Sequence, residues 1–178
     1  MYQQVIKFWF EEITPEMWWK VDPEFDKLIV SRYLELMHQA VRGELYAWRI
    51  APQGRLAEII VLDQFSRNVF RSTPKAFAQD PMALALAQVA VEAQALRALS
   101  PVERSMLLMP FMHSESKSIH AVAERLFHEF APKTSYEFEL KHQAVIERFG
   151  RYPSRNTILG RVSTDDEIQY MNEHGAGF

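Results

Sequence analysis

The sequence predicts an all-α fold of antiparallel helical hairpins stacked on one another. Apolar residues recur at helical spacing along most of its 178 residues, strand alternation is nowhere sustained, and the connections are short. Val5, Phe8 and Trp9 give the first helix its i, i+3, i+4 spacing. Thr14-Pro15 and Asp22-Pro23 each place a capping residue before a proline suited to a first helical turn. From Pro23, the residues Phe25, Leu28, Ile29, Tyr33, Leu36 and Ala40 follow one face, and Gly43 supplies the stop. After the turn-like Ala51-Pro52-Gln53-Gly54, a helix is expected from Arg55 to Arg71.

Asp80-Pro81 opens an alanine- and leucine-rich helix expected to reach Leu99, and Ser100-Pro101-Val102-Glu103 reads as a capping box. Ile119, Val122, Ala123, Leu126, Phe127 and Phe130 define a further amphipathic helix, and the next runs from Thr134 to Phe149 and ends at Gly150. Residues Arg151 to Val162, with Pro153 and Gly160, read as a loop. Thr164-x-x-Glu167 caps a last short helix, with Gly175-Ala176-Gly177 as a frayed tail. No linker, low-complexity segment or consensus helical repeat divides the chain, so residues 1–178 are expected to form one domain.

Composition narrows the functional classes. The chain is 48% hydrophobic with a net charge of -3, which argues against a general nucleic-acid binder. No window approaches the ~20 apolar residues of a membrane span. The opening MYQQVIKFWFEE lacks a basic region and a small-residue cleavage site, so no secretory signal is expected. The absence of cysteine excludes disulfides, thiolate zinc sites and cysteine nucleophiles, and with the rest it points to a cytoplasmic protein. A glycine-rich phosphate loop, a dinucleotide fingerprint, a Gly-x-Ser-x-Gly elbow and an EF-hand are all missing, and neither cofactor nor metal is expected.

The segment LDQFSRNVFR, Leu62 to Arg71, sets charge inside an apolar helix. At ~100° per residue, Leu56, Ile59, Ile60, Asp63, Arg67 and Phe70 fall within about 60° of one direction. Val61, Leu62, Phe65 and Val69 form a second apolar face, which predicts a helix central to its domain. Asp63 and Arg67, one turn apart, are placed to pair directly. Burying such groups is costly, so they mark either a structural ion pair or a polar site.

Other polar groups interrupt apolar patterns. Pro110, within Met106 to Met112, is expected to kink or end a helix and so to present His113 and Glu115 at an element boundary. His142 shares a face with Phe138, Val145 and Phe149, as a core histidine would. His120, Glu124 and His128 line up at i, i+4 and i+8, but they point away from the apolar stripe and read as a solvated face rather than a metal site. Four arginines, Arg148, Arg151, Arg155 and Arg161, have no acid among them. They form either an anion-binding patch or a set of internal partners for Glu137, Glu139 and Asp63.

FWF near the start, Trp19, Asp22, Phe25 and Asp26, LDQFSRNVFR, Asp80, LMPFMHSE and HQAVIERFGRYPSRN resemble, in order, the family known as domain of unknown function 924. The resemblance implies a tetratricopeptide-repeat-like fold, its helix pairs curving around a groove, and supplies no reaction. The family pattern reads Phe-Pro-His-Arg-Asn where this chain has Tyr152-Pro153-Ser154-Arg155-Asn156. That departure removes an acid–base group and keeps the Arg/Asn pair.

Three functions are compatible with these residues. The first is a binding or scaffold protein in which Arg67, Asn68, Arg151, Arg155 and Asn156 hold an anionic small molecule or peptide group, between walls formed by Trp9, Phe65, Phe111 and Tyr152. The second is a hydrolase using His113 as acid or base, oriented by Glu115 or Asp63, with His142 a further candidate. The third is a purely structural role. Oligomeric state is not encoded in any of these patterns.

Overall fold

The computed structural model describes residues 1–175, and every regular element among them is helical. The α-helices are α1 (Tyr2–Lys7), α2 (Pro15–Trp19), α3 (Pro23–Val41), α4 (Pro52–Ile60), α5 (Ser66–Val69), α6 (Asp80–Glu92), α7 (Pro101–Met112), α8 (Lys117–Phe130), α9 (Lys133–Phe149) and α10 (Asp165–His174). Two π-helical turns interrupt the pattern: Phe8–Glu12 continues α1, and Val61–Phe65 joins α4 to α5. Tight 3-10 turns occupy Tyr46–Ile50, Pro74–Phe77, Ala95–Ala98 and Pro153–Arg155.

Local sequence accounts for most boundaries. Asp22 accepts the Glu24 and Phe25 N–H groups at 3.0 and 3.3 Å and starts α3. Ser100/Glu103 and Thr164/Glu167 form reciprocal capping boxes on α7 and α10. Gly150 ends α9 at φ 69°, a left-handed conformation that glycine adopts without a Cβ penalty. Thr14 precedes Pro15 as expected, but its side chain makes no capping bond.

Packing follows the hairpin logic. The α7–α8 and α8–α9 connections are short, and the three helices fold back on one another in succession. At the other end α1 packs on α4, and α3 on the Val61–Phe65 turn and α5; α4 then packs on α6 and α7, which makes it the central helix. Phe65 lies in the middle of an aromatic group, with Phe8, Trp9 and Tyr33 ring centroids 6.2, 5.6 and 4.9 Å away. This core extends from α1 to α8, and a smaller one joins Val145, Ile146 and Tyr152 to Phe149 and Tyr170.

Several expectations are corrected. The helix anticipated from Arg55 to Arg71 starts at Pro52, and its middle is a π turn. Such a turn accommodates one extra residue, so the stripe drawn for an ideal helix does not run unbroken to Phe70. All five residues from Val61 to Phe65 are buried, so the chain here is enclosed on every side. Helix α6 stops at Glu92, seven residues before the expected Leu99, because Gln94 turns the chain left-handed into the 3-10 segment. Pro110 lies inside α7, which continues to Met112 before His113 caps it. The Arg151–Val162 loop contains the Pro153–Arg155 turn.

His120 is fully buried and hydrogen-bonded, not solvated, because α9 covers that face of α8 with Glu139. Glu124 bonds Gln143, and the His128 ring packs on Tyr136. Ala176 and Gly177 of the expected tail lie outside the described residues.

Gly54, in the first turn of α4, is required by close approach. A Cβ there would stand 2.0 Å from the Trp48 carbonyl oxygen. That oxygen belongs to backbone that cannot swing aside. Gly54→Ala is therefore expected to lower stability by about 1–3 kcal/mol or more, as forced overpacking does, read as a fall in urea midpoint at unchanged m-value.

Candidate functional site

The π turn delivers Asp63 to the centre of the molecule, and π-helical turns recur at functional sites. Asp63 is wholly buried, so each carboxylate oxygen needs a donor. Oδ1 faces His113 Nδ1 at 2.7 Å, and Gln64 Nε2 donates to Oδ2 at 2.6 Å. One helical turn on, Arg67 Nη1 lies 3.3 Å from Oδ1 and donates to the Asp63 carbonyl at 2.7 Å. Burial alone would raise the Asp63 carboxyl. Arg67 and His113 outweigh it, with the His113 and Gln64 bonds adding to their effect, and hold the group far below its ordinary range.

Arg67 reaches across to the start of α6. Its Nη1 and Nη2 donate to the two Asp80 oxygens at 2.9 and 3.0 Å, a bidentate pair. Arg155, on the Pro153–Arg155 turn, joins the same acid through Nη1 at 3.3 Å. Its Nη2 donates to the His113 carbonyl at 3.0 Å. The Arg155 guanidinium packs on the rings of Phe77 and Tyr152, 4.7 and 4.6 Å from their centroids. Burial and the neighbouring Arg67 lower the Arg155 pKa, against Asp80 and Glu115.

His113 sits where α7 ends. Burial and the Arg67 charge push its pKa below the ordinary 6.5, against the pull of Asp63. The neutral ring thus donates from Nδ1 to the ionised Asp63, which leaves the lone pair on Nε2. Nε2 makes no hydrogen bond among the described residues, and 13% of the side chain remains exposed. This ring edge is open for chemistry.

A second network adjoins the first. Arg161 holds Glu115 in a bidentate pair at 2.7 and 2.9 Å, donates to the Tyr152 carbonyl at 3.0 Å, and donates from Nε to Asn156 Oδ1 at 2.9 Å. Glu115 in turn accepts the Tyr152 N–H at 2.8 Å. Arg151 donates to Glu167 at 2.6 and 2.8 Å, and Asn156 Nδ2 reaches the same carboxylate at 3.2 Å. Asn68 belongs to a third group, bonding Asp26 at 2.9 Å beside Arg71. His142 packs edge-on to Tyr152 at 5.8 Å, and burial pushes its pKa down to about 3.

The structure therefore joins Asp63, Arg67, His113 and Arg155 in one cluster. Glu115, Arg151 and Asn156 form the adjoining one, and Asn68 stands apart. The acids that neutralise the arginines are not those expected: Asp80, Glu115 and Glu167 take Arg155, Arg161 and Arg151. Glu139 pairs with His120, and Glu137 with Lys133. Trp9, Phe65 and Phe111 lie in the core, so of the expected aromatic walls only Tyr152 meets an arginine of this cluster. Phe77 and the bidentate role of Asp80 were missed. Asp80-Pro81 read as a helix cap, and its one clue was that two buried arginines require a further carboxylate.

Residues 5–175 match the family described as bacterial protein of unknown function (DUF924). The chain belongs to this family. A solved structure titled as a protein of unknown function from Agrobacterium tumefaciens superposes with a TM-score of 0.91 at 32% identity, covering 97% of each chain. No curated protein matches. The family has no assigned reaction, and among the described residues no three His, Asp, Glu or Cys side chains are grouped to hold a metal. No described helix is long and apolar enough to cross a membrane.

Two outcomes follow from the geometry. Arg67→Ala leaves Asp63 and Asp80 short of their main partner and is expected to cost on the order of 3–5 kcal/mol, measured by chemical denaturation. Acid should also destabilise the fold in stages. His113 and His142 stay neutral in the native state, so stability falls as the pH drops below 6.5, for His142 down to about 3. The Arg151 bond, with the Thr164 N–H, holds Glu167 at about 2, so its contribution is complete above 4.5 and disappears as the pH falls towards 2. Urea midpoints should decline from pH 4.5 to pH 2.5, where Glu139, raised by burial, no longer opposes the fall, and Glu167→Gln should flatten that segment.

Proposed function

We propose that the Asp63–His113–Arg67–Arg155 cluster is an acid–base site for a small polar molecule bearing a carboxylate or phosphate. The observation that carries this reading is the 2.7 Å contact of His113 Nδ1 with a buried, ionised Asp63 while Nε2 has no partner among the described residues. A histidine recruited only for structure would have both ring nitrogens engaged. Here Asp63 fixes the tautomer, as the acid does in an Asp–His pair of a hydrolase.

In hydrolysis a water molecule would give a proton to Nε2 as its oxygen attacks the substrate. The imidazolium so formed is stabilised by Asp63, and it then returns the proton to the leaving group. Arg155 would hold the anionic group. It uses two of its five N–H groups on Asp80 and the His113 carbonyl, and the other three have no partner among the described residues. Phe77 and Tyr152 fix the plane in which those donors lie. Two carboxylates balance two guanidiniums here, so recognition would rest on hydrogen-bond direction rather than on net attraction.

Binding without turnover is the second reading, and the unused Arg155 donors support it equally. We also read the consecutive α7, α8 and α9 hairpins as the tetratricopeptide-repeat-like part of the fold, and the cysteine-free composition as that of a cytoplasmic protein.

The test begins with the ring itself. In 15N-resolved spectra His113 is expected to be neutral at pH 7 with the proton on Nδ1. An imidazolium, or a proton on Nε2, would overturn the acid–base assignment. A panel of small phosphate and carboxylate esters should then show turnover that His113→Gln lowers about 10²–10⁴-fold. Thermal shift with inorganic phosphate and with acetate should be reduced in Arg155→Ala. An anion response without turnover on any ester class would favour the binding reading.

A further inference from the structure

A second histidine–carboxylate pair lies behind the proposed site, wholly out of solvent. His120 on α8 and Glu139 on α9 are both fully buried, with His120 Nδ1 2.7 Å from Glu139 Oε1. The opposite ring nitrogen, Nε2, stands 2.9 Å from the Ser114 carbonyl, which only accepts. Nε2 must therefore carry a proton. It also lies 3.2 Å from the Tyr152 hydroxyl, which donates its own hydrogen to the Met112 carbonyl. The Tyr152 oxygen is thus oriented by His120 from one side and by the end of α7 from the other.

The location of the remaining proton follows from Glu139. Its second oxygen, Oε2, is buried and has no hydrogen-bond partner among the described residues. A carboxylate would leave half of its charge on an unsolvated, unpaired oxygen, whereas a carboxylic acid leaves only a carbonyl there. The acid form also donates from Oε1 to the Nδ1 lone pair, which completes both groups without net charge. Burial raises the Glu139 pKa in the same direction.

We propose that Glu139 and His120 are positioning residues of the site described above: an uncharged, hydrogen-bonded pair that fixes the Tyr152 ring and, through it, the Arg155 guanidinium. The inference rests on the proposed site for its functional meaning, but its geometry stands alone. The Tyr152 ring packs on the Arg155 guanidinium at 4.6 Å, and the Phe77 ring packs on it at 4.7 Å. A Tyr152 ring that rotates or withdraws leaves Arg155 held by Phe77, a 3.3 Å bond to Asp80 and the His113 carbonyl. Neither Glu139 nor His120 touches the open edge of His113 in any described contact, so they reach the site through Tyr152 and through the Ser114 carbonyl beside His113.

The experiment needs no substrate. In wild-type protein at pH 7, 15N spectra should show His120 with Nδ1 unprotonated and Nε2 protonated; an imidazolium would overturn the uncharged pair. The Arg155 Nε–H resonance should then shift in Glu139→Ala and return towards its wild-type position in Glu139→Gln, whose amide reproduces the acid's donor and carbonyl. An unmoved resonance in Glu139→Ala, or a Gln variant that behaves like Ala, would overturn the positioning role. Should Glu139→Ala fail to fold, Tyr152→Phe and Tyr152→Leu decide the same point: loss of the hydroxyl alone should displace the Arg155 signal, and loss of the ring should displace it further. A Tyr152→Phe spectrum identical to wild type would overturn the relay. In wild type that responds to inorganic phosphate, Glu139→Ala should lose the response and Glu139→Gln keep it. If wild type shows no phosphate response, the anion site fails, while the Arg155 resonance still judges the positioning pair.

Discussion

The dependence of this fold on one buried carboxylate is its governing constraint. Asp63 lies at zero exposure in the turn that joins α4 to α5, where an uncompensated charge would cost several kcal/mol. Its compensation comes from elsewhere in the chain. His113 brings the end of α7, and Arg67 brings Asp80 at the start of α6. Asp80 in turn holds Arg155 from the C-terminal turn. Arg67, Asp80 and Arg155 are each partly buried charges that need the next, so removing any of the three leaves an unpaired one. Hydrophobic packing around Phe65 supplies the driving force. The polar chain supplies the register in which those helices meet.

The same rule shapes the region after α9. Residues 151–163 contain little regular structure, yet Arg151, Arg155 and Arg161 each reach an acid on a different element: Glu167 on α10, Asp80 on α6 and Glu115 after α7. Bidentate guanidinium–carboxylate geometry fixes direction as well as distance. Two such bidentate ties, from Arg151 and Arg161, and the single Arg155–Asp80 bond tie this loop to three other elements. Glu115 takes both Arg161 and the Tyr152 N–H, so one of these ties also holds the backbone of the tyrosine beside Arg155.

Helical order was legible because periodicity and caps are local properties. The Asp22 cap and the Ser100 and Thr164 capping boxes are found where the residues foretell them. The centrality of the Asp63 helix was legible too, from its two apolar faces. The π turn was not, since the extra residue reflects how α4 must meet its neighbours rather than any propensity of Val61–Phe65. Partner choice was equally hidden. Asp80 is 13 residues from Arg67 and 75 from Arg155, and only the packing of α6 on α4 and α7 brings them together. His120 shows the same limit: its i+4 and i+8 neighbours suggested a solvated face, but α9 lays Glu139 over it.

The two histidine–carboxylate pairs separate along a line that bears on function. In each, Nδ1 lies 2.7 Å from a buried carboxyl oxygen. Around Asp63 the Arg67 guanidinium and the Gln64 amide stabilise the anion, so the acid is ionised and the imidazole stays neutral with no described partner on Nε2. Among the described residues, Glu139 pairs with no cation except what His120 could become, one of its oxygens has no partner, and His120 Nε2 is taken by the Ser114 carbonyl. The first pair keeps a basic lone pair at a solvent-reaching edge. The second uses every ring donor and acceptor internally. A histidine Nδ1 at the same distance from a carboxyl oxygen thus holds opposite proton inventories in the two pairs, and the surrounding charge decides which pair can exchange a proton with a substrate and which can only hold its neighbours in place.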